Sequence, residues 1–424
     1  MPGQASFQHT VEQHLDALAP LLNRLIERTA ESLELGDALG RVAAVDVRST
    51  VPLPLFRNSQ MDGFAVRSAD VTNAPVVLPV VGELAAARAE AQPLRPGTAI
   101  RIMTGAPMPD GADAVIPVEA TRAAAGPRAG VADDTATDAV ELLESTAPGR
   151  FIREPGSDLP AGSVLVSAGD RLTPRRLAAL AAAGLTRVDT RTRVRVAVIS
   201  TGSELIAPGE EPGPGELFDS NGIALAAAAT EAGASVVHRA RVRDDDAALL
   251  GELDAACSAG AELIVTSGGV SMGEHEVVRE TLEPLGVLVG KVSMQPGGPQ
   301  GYGAYRGIPV LCFPGNPVSS QLSFELFAAP VLRAAAGMPA ARRTRERLAV
   351  AIEAFDPRRR QFQRGRRSAD GRVEPVGGSG SHLVTALAAA ELLIVVPERS
   401  TDEGENGGPG GVLENDEVEV LWLS

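Results

Sequence analysis

VRVAVIS (residues 194–200), AELIVTSGG (residues 261–269) and IPVLCFPG (residues 308–315) are the three stretches that decide the fold expected for this chain. Each is an apolar run that ends in a turn rich in glycine and small polar residues. A continuous apolar run of this length, bounded by turn residues, is typical of a strand buried on both faces of a parallel sheet. The three stretches therefore predict neighbouring parallel strands.

Alanine-rich segments of helical length separate these strands, at residues 221–233 and 245–260. Alternation of strand and helix predicts a doubly wound α/β module, in which ligands bind beyond the carboxyl ends of the strands. We therefore expect the three turns to share one crevice, although the glycines could merely tighten the turns. The candidate ligand-binding residues of these turns are Ser200, Thr201, Gly202, Ser267, Gly268, Gly269, Ser271, Gly273, Pro314, Gly315, Asn316 and Pro317.

Composition limits the class of protein. The chain has 424 residues, 44% of them hydrophobic, which is enough for several domains with real cores. Its net charge of -15 argues against nucleic acid or an anionic membrane as a partner. No apolar stretch is long enough to span a bilayer and the start does not resemble a signal peptide, so a cytoplasmic location is the default expectation. Cys257 and Cys312 lie in apolar elements and are predicted to be core residues.

The pattern along the chain predicts four domains, with an overall α/β multidomain class. Residues 1–48 and 149–190 are expected to form an elongated helical and mixed N-terminal domain, into which a β-domain of residues 49–148 is inserted. Residues 191–337 form the α/β module, and residues 338–424 alternate with period two, which predicts a C-terminal β-domain.

Acidic residues concentrate in the turns of the α/β module. Glu204 follows the first strand, Asp244 and Asp245 follow a second, and Glu276 follows SMGEH. Carboxylates around an anionic ligand suit Mg²⁺, which is held by one or two carboxylates together with phosphate oxygens and water. All four are candidate metal ligands. Equally, such acids can be helix caps that the helix dipole favours.

Lys291 is the chain's single lysine among 39 basic residues. A compact ammonium is not interchangeable with a guanidinium, so Lys291 is a candidate point charge beside an anion. The alternative is that Lys291 lies on a strand by chance and has no role at a site. The sequence lacks GxGxxG, a Walker motif and a recognisable nucleophile elbow, which disfavours nicotinamide dehydrogenases, P-loop ATPases and serine hydrolases.

Several further motifs occur in one order along nearly the whole chain, and together they resemble the MoeA-type molybdopterin molybdenumtransferases, a family that includes the catalytic C-terminal domain of gephyrin. The motifs are NSQMDGFAVR (58–67), RIMTGAPMPDGADAVIPVE (101–119), VISTGSEL (198–205), SGGVSMGE (267–274), MQPGGP (294–299), FPGNPVSS (313–320), FQRG (362–365) and GSGSH (378–382).

The resemblance implies an elongated homodimer whose active cleft forms between the α/β domain of one subunit and the β-domain of the other. It implies that adenylylated molybdopterin and molybdate, with Mg²⁺, give molybdenum-molybdopterin and AMP. It also implies possible partners, namely a molybdopterin adenylyltransferase and proteins that mature molybdoenzymes.

Residue by residue, the resemblance extends to the other domains as well. Asp62 and Thr104 match β-domain positions that face the cleft, and Lys291 matches a lysine near the site. The matches implied to contact metal or substrate are Glu204, Asp244 or Asp245, Pro296, Gly297, Pro314, Pro317, Arg364 and Ser381.

Two departures from the family pattern affect charge. The family commonly has lysine in PGKP where this chain has Gly298, and aspartate where it has Glu276, a longer carboxylate that can still bind a cation. Arg306 or Arg364 is the candidate to compensate for the missing lysine. Two other functions stay open, a molybdopterin adenylyltransferase and a non-catalytic molybdopterin-binding scaffold.

Overall fold

A computed structural model describes residues 7–86, 92–124, 138–270, 276–353, 356, 358–398 and 411–423. The α-helices of this part of the chain are α1 (Val11–Leu22), α2 (Pro174–Ala182), α3 (Asn221–Glu231), α4 (Asp246–Ser258), α5 (Val277–Leu282), α6 (Pro317–Ser323), α7 (Ala329–Ala336) and α8 (Val384–Ala388). The strands as far as residue 191 are β1 (Gln8–His9), β2 (Ala30–Glu34), β3 (Val47–Arg48), β4 (Asn58–Ser59), β5 (Gly63–Val66), β6 (Val76–Leu84), β7 (Ala99–Ile102), β8 (Ala114–Pro117), β9 (Thr121–Ala124), β10 (Asp138–Leu142), β11 (Ile152–Arg153), β12 (Val164–Val166) and β13 (Arg187–Arg191).

The strands after residue 191 build the central module and the C-terminal domain. They are β14 (Arg195–Thr201), β15 (Leu205–Ile206), β16 (Leu217–Phe218), β17 (Ser235–Val242), β18 (Leu263–Ser267), β19 (Leu288–Val292), β20 (Met294–Gln295), β21 (Pro299–Tyr305), β22 (Ile308–Phe313), β23 (Arg343–Arg347), β24 (Ile352–Glu353), β25 (Arg360–Arg367), β26 (Val373–Pro375), β27 (Leu392–Val396), β28 (Gly411–Val412) and β29 (Glu417–Trp422).

The central module is the predicted doubly wound α/β unit. Its sheet has the order β1-β19-β21-β22-β18-β14-β17, and the three stretches singled out in the sequence are β14, β18 and β22, neighbours that run parallel. One of the remaining strands, β21, differs from that prediction. β21 runs antiparallel to both β22 and β19, so the sheet is mixed. A short turn of Arg306 and Gly307 joins β21 to β22, and a turn this short can connect only antiparallel strands.

Helices cover both faces of this sheet, as the alternating sequence pattern requires. Leu225 of α3 and Leu332 of α7 pack into one core cluster, and Leu249 and Leu253 of α4 pack into the cluster on the opposite face. Each fully buried leucine contributes about 1.5–3 kcal/mol relative to an exposed one. Because α3 and α4 lie on opposite faces and both flank β17, the chain reverses its direction of winding at β14. The crevice for a ligand opens at this switch point.

The N-terminal segment packs differently from the predicted division. β1 pairs in parallel with β19, and α1 begins with a capping box of Thr10 and Gln13. Phe7 and Leu18 share the core of the central module. The first part of residues 1–48 therefore packs with the α/β module, whereas β2 and β3 pair with β13 and β12, which lie in residues 149–191.

The two outer β-regions have separate sheets. The β-domain has the order β8-β5-β7-β6-β10-β9, and the C-terminal domain has the order β20-β25-β27-β29-β23, with β26 beside β25. β20 belongs to the MQPGGP stretch, so this stretch ties the C-terminal sheet to the central module.

Cys312 is buried and Cys257 half-buried, in agreement with the prediction for Cys312. None of the helices in the described part of the chain combines the length and the hydrophobicity that a membrane-spanning helix needs.

Candidate active site

A cavity of about 1140 Å³ opens at the carboxyl edge of the central sheet, where the switch-point rule places a ligand. The turns after β14, β18 and β22 form its floor, the MQPGGP stretch forms one side, and residues of the C-terminal domain form another. The predicted residues that line it are Thr201, Gly202, Glu204, Asp244, Ser267, Gly268, Gly269, Glu276, Pro296, Gly297, Pro314, Gly315, Asn316, Pro317 and Ser381. Ser271 and Gly273 lie outside the described residues.

Glycine is required in the second turn because three turns approach one another there. A Cβ on Gly268 would lie 2.3 Å from the carbonyl oxygen of Thr201, and the backbone φ of Gly268 is +102°. A Cβ on Gly315 would lie 3.4 Å from the Cα of Gly268. Only a residue without a side chain fits between the first and third turns. Gly268 therefore does more than tighten a turn, since it allows the backbones of the three turns to converge on one cavity.

Ser203 links the acidic residues of the first two turns. Its backbone N–H donates to Asp244 Oδ2 at 2.9 Å, and its Oγ accepts from the Asp244 backbone N–H at 3.1 Å. This reciprocal pair holds Asp244 beside Glu204, the next residue after Ser203, and both carboxylates line the cavity.

Asp245 is a helix cap, which was the alternative to a role as metal ligand. Its Oδ1 accepts from the Ala248 backbone N–H at 2.7 Å, so it caps α4, and it does not line the cavity. Within the described ranges there is no group of three or more His, Cys, Asp or Glu side chains that could hold a metal ion. Glu204 and Asp244, with Glu276 further along the wall, nevertheless fit Mg²⁺, which needs one or two carboxylates when phosphate oxygens and water complete its shell.

Asp219 and Asn221, at the start of α3, line the cavity beside Ser220 and were not among the candidates. Asn221 is 8% exposed, and its Nδ2 donates to Ser267 Oγ at 2.9 Å and to the Gly315 carbonyl at 2.7 Å. Because a carbonyl oxygen can only accept, this network fixes the orientation of the amide. Asp219 Oδ1 accepts from the Gly222 N–H at 2.9 Å and caps the same helix. The rule that pointed to the other turns, polar residues where a helix begins at the carboxyl edge, would have found both.

The C-terminal domain also contributes residues that the sequence did not single out. Arg359 and Ser379 line the cavity, together with Ser381 and His382 of the GSGSH stretch. The Val318 N–H donates to the Ser381 carbonyl at 3.1 Å, which fastens this stretch to α6.

Arg364 does not line the cavity, contrary to the role expected for it. It is 3% exposed, and its guanidinium donates to the carbonyls of Gly380, at 3.1 Å, and of Gly378. Burial lowers the pKa of Arg364. The other candidate for compensating Gly298 also lies elsewhere, since Arg306 pairs with Asp254 at 3.0 Å. Neither arginine therefore replaces the missing lysine at the cavity, and that hypothesis is wrong.

Four further candidates lie apart from the cavity lining. Lys291 is exposed on β19, where its backbone N–H donates to the Phe7 carbonyl. Ser200 is fully buried at the end of β14, beneath the start of α3. Asp62 and Thr104 lie in the β-domain and bind each other.

Comparisons with known proteins agree with this geometry. Residues 9–184 match the family described as MoeA N-terminal region (domain I and II), residues 197–334 match the probable molybdopterin binding domain, and residues 347–423 match the MoeA C-terminal region (domain IV). Molybdopterin molybdenumtransferase 2 of Mycobacterium tuberculosis is 41% identical over 92% of this chain and 95% of its own length. Molybdopterin molybdenumtransferase 1 of the same organism is 33% identical over 86% and 89%.

A solved structure leads to the same family. The crystal structure of a molybdopterin biosynthesis MoeA protein from Pyrococcus horikosii covers 98% of this chain and 99% of its own, with a TM-score of 0.76 and 30% identity. The family matches extend over all the domains, and the alignment with molybdopterin molybdenumtransferase 2 covers nearly the full length of both chains. The chain therefore belongs to the MoeA family of molybdopterin molybdenumtransferases.

Proposed function

We propose that this protein transfers molybdenum from molybdate to adenylylated molybdopterin, releasing AMP and molybdenum-molybdopterin. The observation that carries the proposal is the single cavity in which the glycine turns after β14, β18 and β22 meet the carboxylates of Glu204 and Asp244. The relatives named molybdenumtransferases support the same activity.

The turns suit a ligand that carries phosphate and brings its own metal-binding sulfurs. Close approach of the turns at Gly268 and Gly315 brings their backbones together along one cavity, where an anion would lie against the main chain. The protein's residues then need only bind and orient the ligand, since the dithiolene of the pterin binds the molybdenum. Asn221 stiffens the floor because it joins the second and third turns.

Magnesium is part of the proposal. Glu204 and Asp244 would hold the ion with phosphate oxygens of the substrate, and Glu276 lies on the same wall. When bound, Mg²⁺ would neutralise charge on the phosphoanhydride that is to be cleaved.

A homodimer is also part of the proposal, and two residues motivate it. Asp62 and Thr104 are exposed and do not line the cavity of their own chain. In a dimer, the β-domain of the partner subunit would bring its own copies of both residues to the cavity. A molybdopterin adenylyltransferase is the expected supplier of the substrate.

The test is release of AMP from adenylylated molybdopterin by the purified protein, with molybdate and Mg²⁺ supplied together or singly. We expect release only with both ions, and loss of it in Glu204→Gln. Glu211→Gln is the matched control, since Glu211 is an exposed acid of the next loop, between β15 and β16, and does not line the cavity. ATP consumption with free molybdopterin would instead identify an adenylyltransferase. Tight binding without release, unchanged by Glu204→Gln, would identify a scaffold.

A further inference from the structure

The cavity lining is unbalanced in charge. Four carboxylates line it, those of Glu204, Asp219, Asp244 and Glu276. Among the described lining residues, Arg359 is the single lysine or arginine. A wall with this balance repels an anionic ligand unless a cation offsets it locally. Arg359 is therefore the cationic side chain, among the described lining residues, that could offset these carboxylates where an anion binds.

The pairing of β20 with β25 explains how Arg359 reaches the cavity. Met294 lies opposite Arg360 and Gln295 opposite Gln361, so the chain that enters β25 runs beside the MQPGGP wall. Arg359 comes directly before that strand. The C-terminal sheet thus presents it at the cavity together with the MQPGGP wall, which also lines the cavity and lacks the lysine of the family pattern.

The neighbouring arginines, Arg358 and Arg360, form ion pairs and do not line the cavity. Arg360 pairs with Glu12 and Glu398, and Arg358 pairs with Asp356 at 3.1 Å, with 84% of its side chain exposed. Arg359 is half exposed and contacts Asp356 through Nε, at 3.2 Å. A guanidinium has five N–H donors, so an ion pair through Nε leaves donors for the oxygens of a ligand.

We propose that Arg359 binds a tetrahedral oxyanion in this cavity, the phosphate of the nucleotide ligand or molybdate itself. The proposal rests on the proposed function, because that function supplies both anions. It makes Arg359 the local replacement for the positive charge missing at Gly298.

The experiment measures binding of AMP, adenosine and molybdate to the full chain by isothermal titration calorimetry. Arg359→Ala is expected to raise the Kd for at least one of the two anions about ten-fold, the size of a charge-assisted hydrogen bond at a partly exposed site. The Kd for adenosine should not change. Weakening of AMP alone assigns the phosphate, and weakening of molybdate alone assigns the metal oxyanion. Unchanged affinity for both anions overturns the proposal.

Two further variants separate a specific contact from general electrostatics. Arg358→Ala removes the same charge from the adjacent residue, which shares Asp356 but does not line the cavity, and should leave every Kd unchanged. An equal loss in both variants overturns the proposal. Gly298→Lys, placed in the Arg359→Ala background, should restore anion binding.

The structure has room for that lysine. A Cβ at Gly298 would have Val292 O at 3.4 Å and Met294 O at 3.6 Å, which are ordinary contacts. These binding measurements do not depend on turnover. A wild-type protein that binds AMP through Arg359 but never releases it from adenylylated molybdopterin would overturn the proposed reaction and leave the oxyanion contact standing.

Discussion

Asp62 Oδ1 accepts two hydrogen bonds from Thr104, one from the backbone N–H and one from Oγ1, each at 2.6 Å. β5 begins directly after Asp62 and pairs with β7, which ends two residues before Thr104. The two hydrogen bonds hold the pKa of Asp62 below its usual value, the bond from the side chain contributing most. The carboxylate is thus charged and fixed in direction although it is exposed on the β-domain. A fixed, exposed charge of this kind fits a role outside its own domain.

Mixing two inactive variants tests whether that role lies in a partner subunit. We expect Asp62→Asn and Glu204→Gln each to abolish AMP release while staying folded. If each active site combines Glu204 of one subunit with Asp62 of the other, subunit exchange should restore about a quarter of wild-type activity, because half the dimers are then mixed and each has one intact site. Activity of the mixture is measured after exchange at high dilution and reconcentration. A mixture that stays inactive despite proven exchange would place both residues in the same site of one chain.

Gly268→Ala tests the convergence of the three turns. The added Cβ would meet the Thr201 carbonyl at 2.3 Å in a backbone conformation that alanine rarely adopts, so the turn must move. We expect a loss of stability of about 1–3 kcal/mol and a much weaker affinity for AMP. Thermal unfolding and calorimetric titration measure the two effects.

Gly251→Ala is the matched control for that substitution. Gly251 lies within α4 with nothing within 4 Å of its added Cβ. Alanine there should raise stability by about 0.5–1 kcal/mol and leave AMP binding unchanged. Equal affinity of both variants for AMP would show that the turn at Gly268 does not shape the binding site.

His14 predicts a pH dependence of stability that is independent of the active site. It is 1% exposed, packed among Phe7, Tyr302 and Phe327, and burial lowers its pKa from 6.5 to about 3, with a smaller contribution from His9. The unfolded chain therefore binds a proton that the folded chain excludes. Stability contributed by neutral His14 is complete above pH 6.5 and falls as pH drops toward 3, by about 1.4 kcal/mol per unit where the slope is full.

The measurement is urea unfolding between pH 7 and pH 4. His14→Phe keeps an aromatic ring in the cluster and should flatten the pH dependence, whereas His382→Ala, which removes an exposed imidazole, should not. The same slope in wild type and His14→Phe would show that other groups carry the acid sensitivity.

Local pattern was sufficient to predict the central strands and most of the cavity floor. Apolar runs that end in glycine turns report both burial and the edge at which the turns lie, so Glu204 and Gly268 could be anticipated from the sequence. The sequence could not show which of Asp244 and Asp245 would face the cavity. Either of two adjacent acids at the start of a helix can cap it, and backbone geometry decides which one does. Here Asp245 caps α4 and Asp244 faces the cavity.

Contributions from distant parts of the chain were beyond that kind of reasoning. Arg359 reaches the cavity only because β20 pairs with β25, a contact that no local periodicity encodes. Lys291 drew attention as the single lysine, yet its position on β19 leaves the side chain exposed and away from the lining. Rarity of a residue type in a composition says nothing about the direction in which its side chain points.

Arg364 and the GSGSH stretch lead to the last prediction. Because the buried guanidinium donates to the carbonyls of Gly378 and Gly380, we expect Arg364 to position Ser379, Ser381 and His382 rather than to touch the ligand. Arg364→Ala removes the donor that the side chain gives to each of these two carbonyls, leaving Gly380 O with the Leu383 N–H at 3.4 Å, and should release the stretch from its place on the cavity wall. Amide hydrogen exchange at residues 378–382 should rise, and the affinity for AMP should fall with it.

Arg364→Lys distinguishes positioning from direct binding. Lysine keeps the charge but cannot span both carbonyls with a planar fork, so exchange should again rise and affinity again fall. A positioning role requires the two effects to appear together in both variants. If Arg364→Lys instead restored AMP binding while residues 378–382 exchanged fast, the charge itself would contact the ligand, and the arginine would have to leave its carbonyl partners to do so.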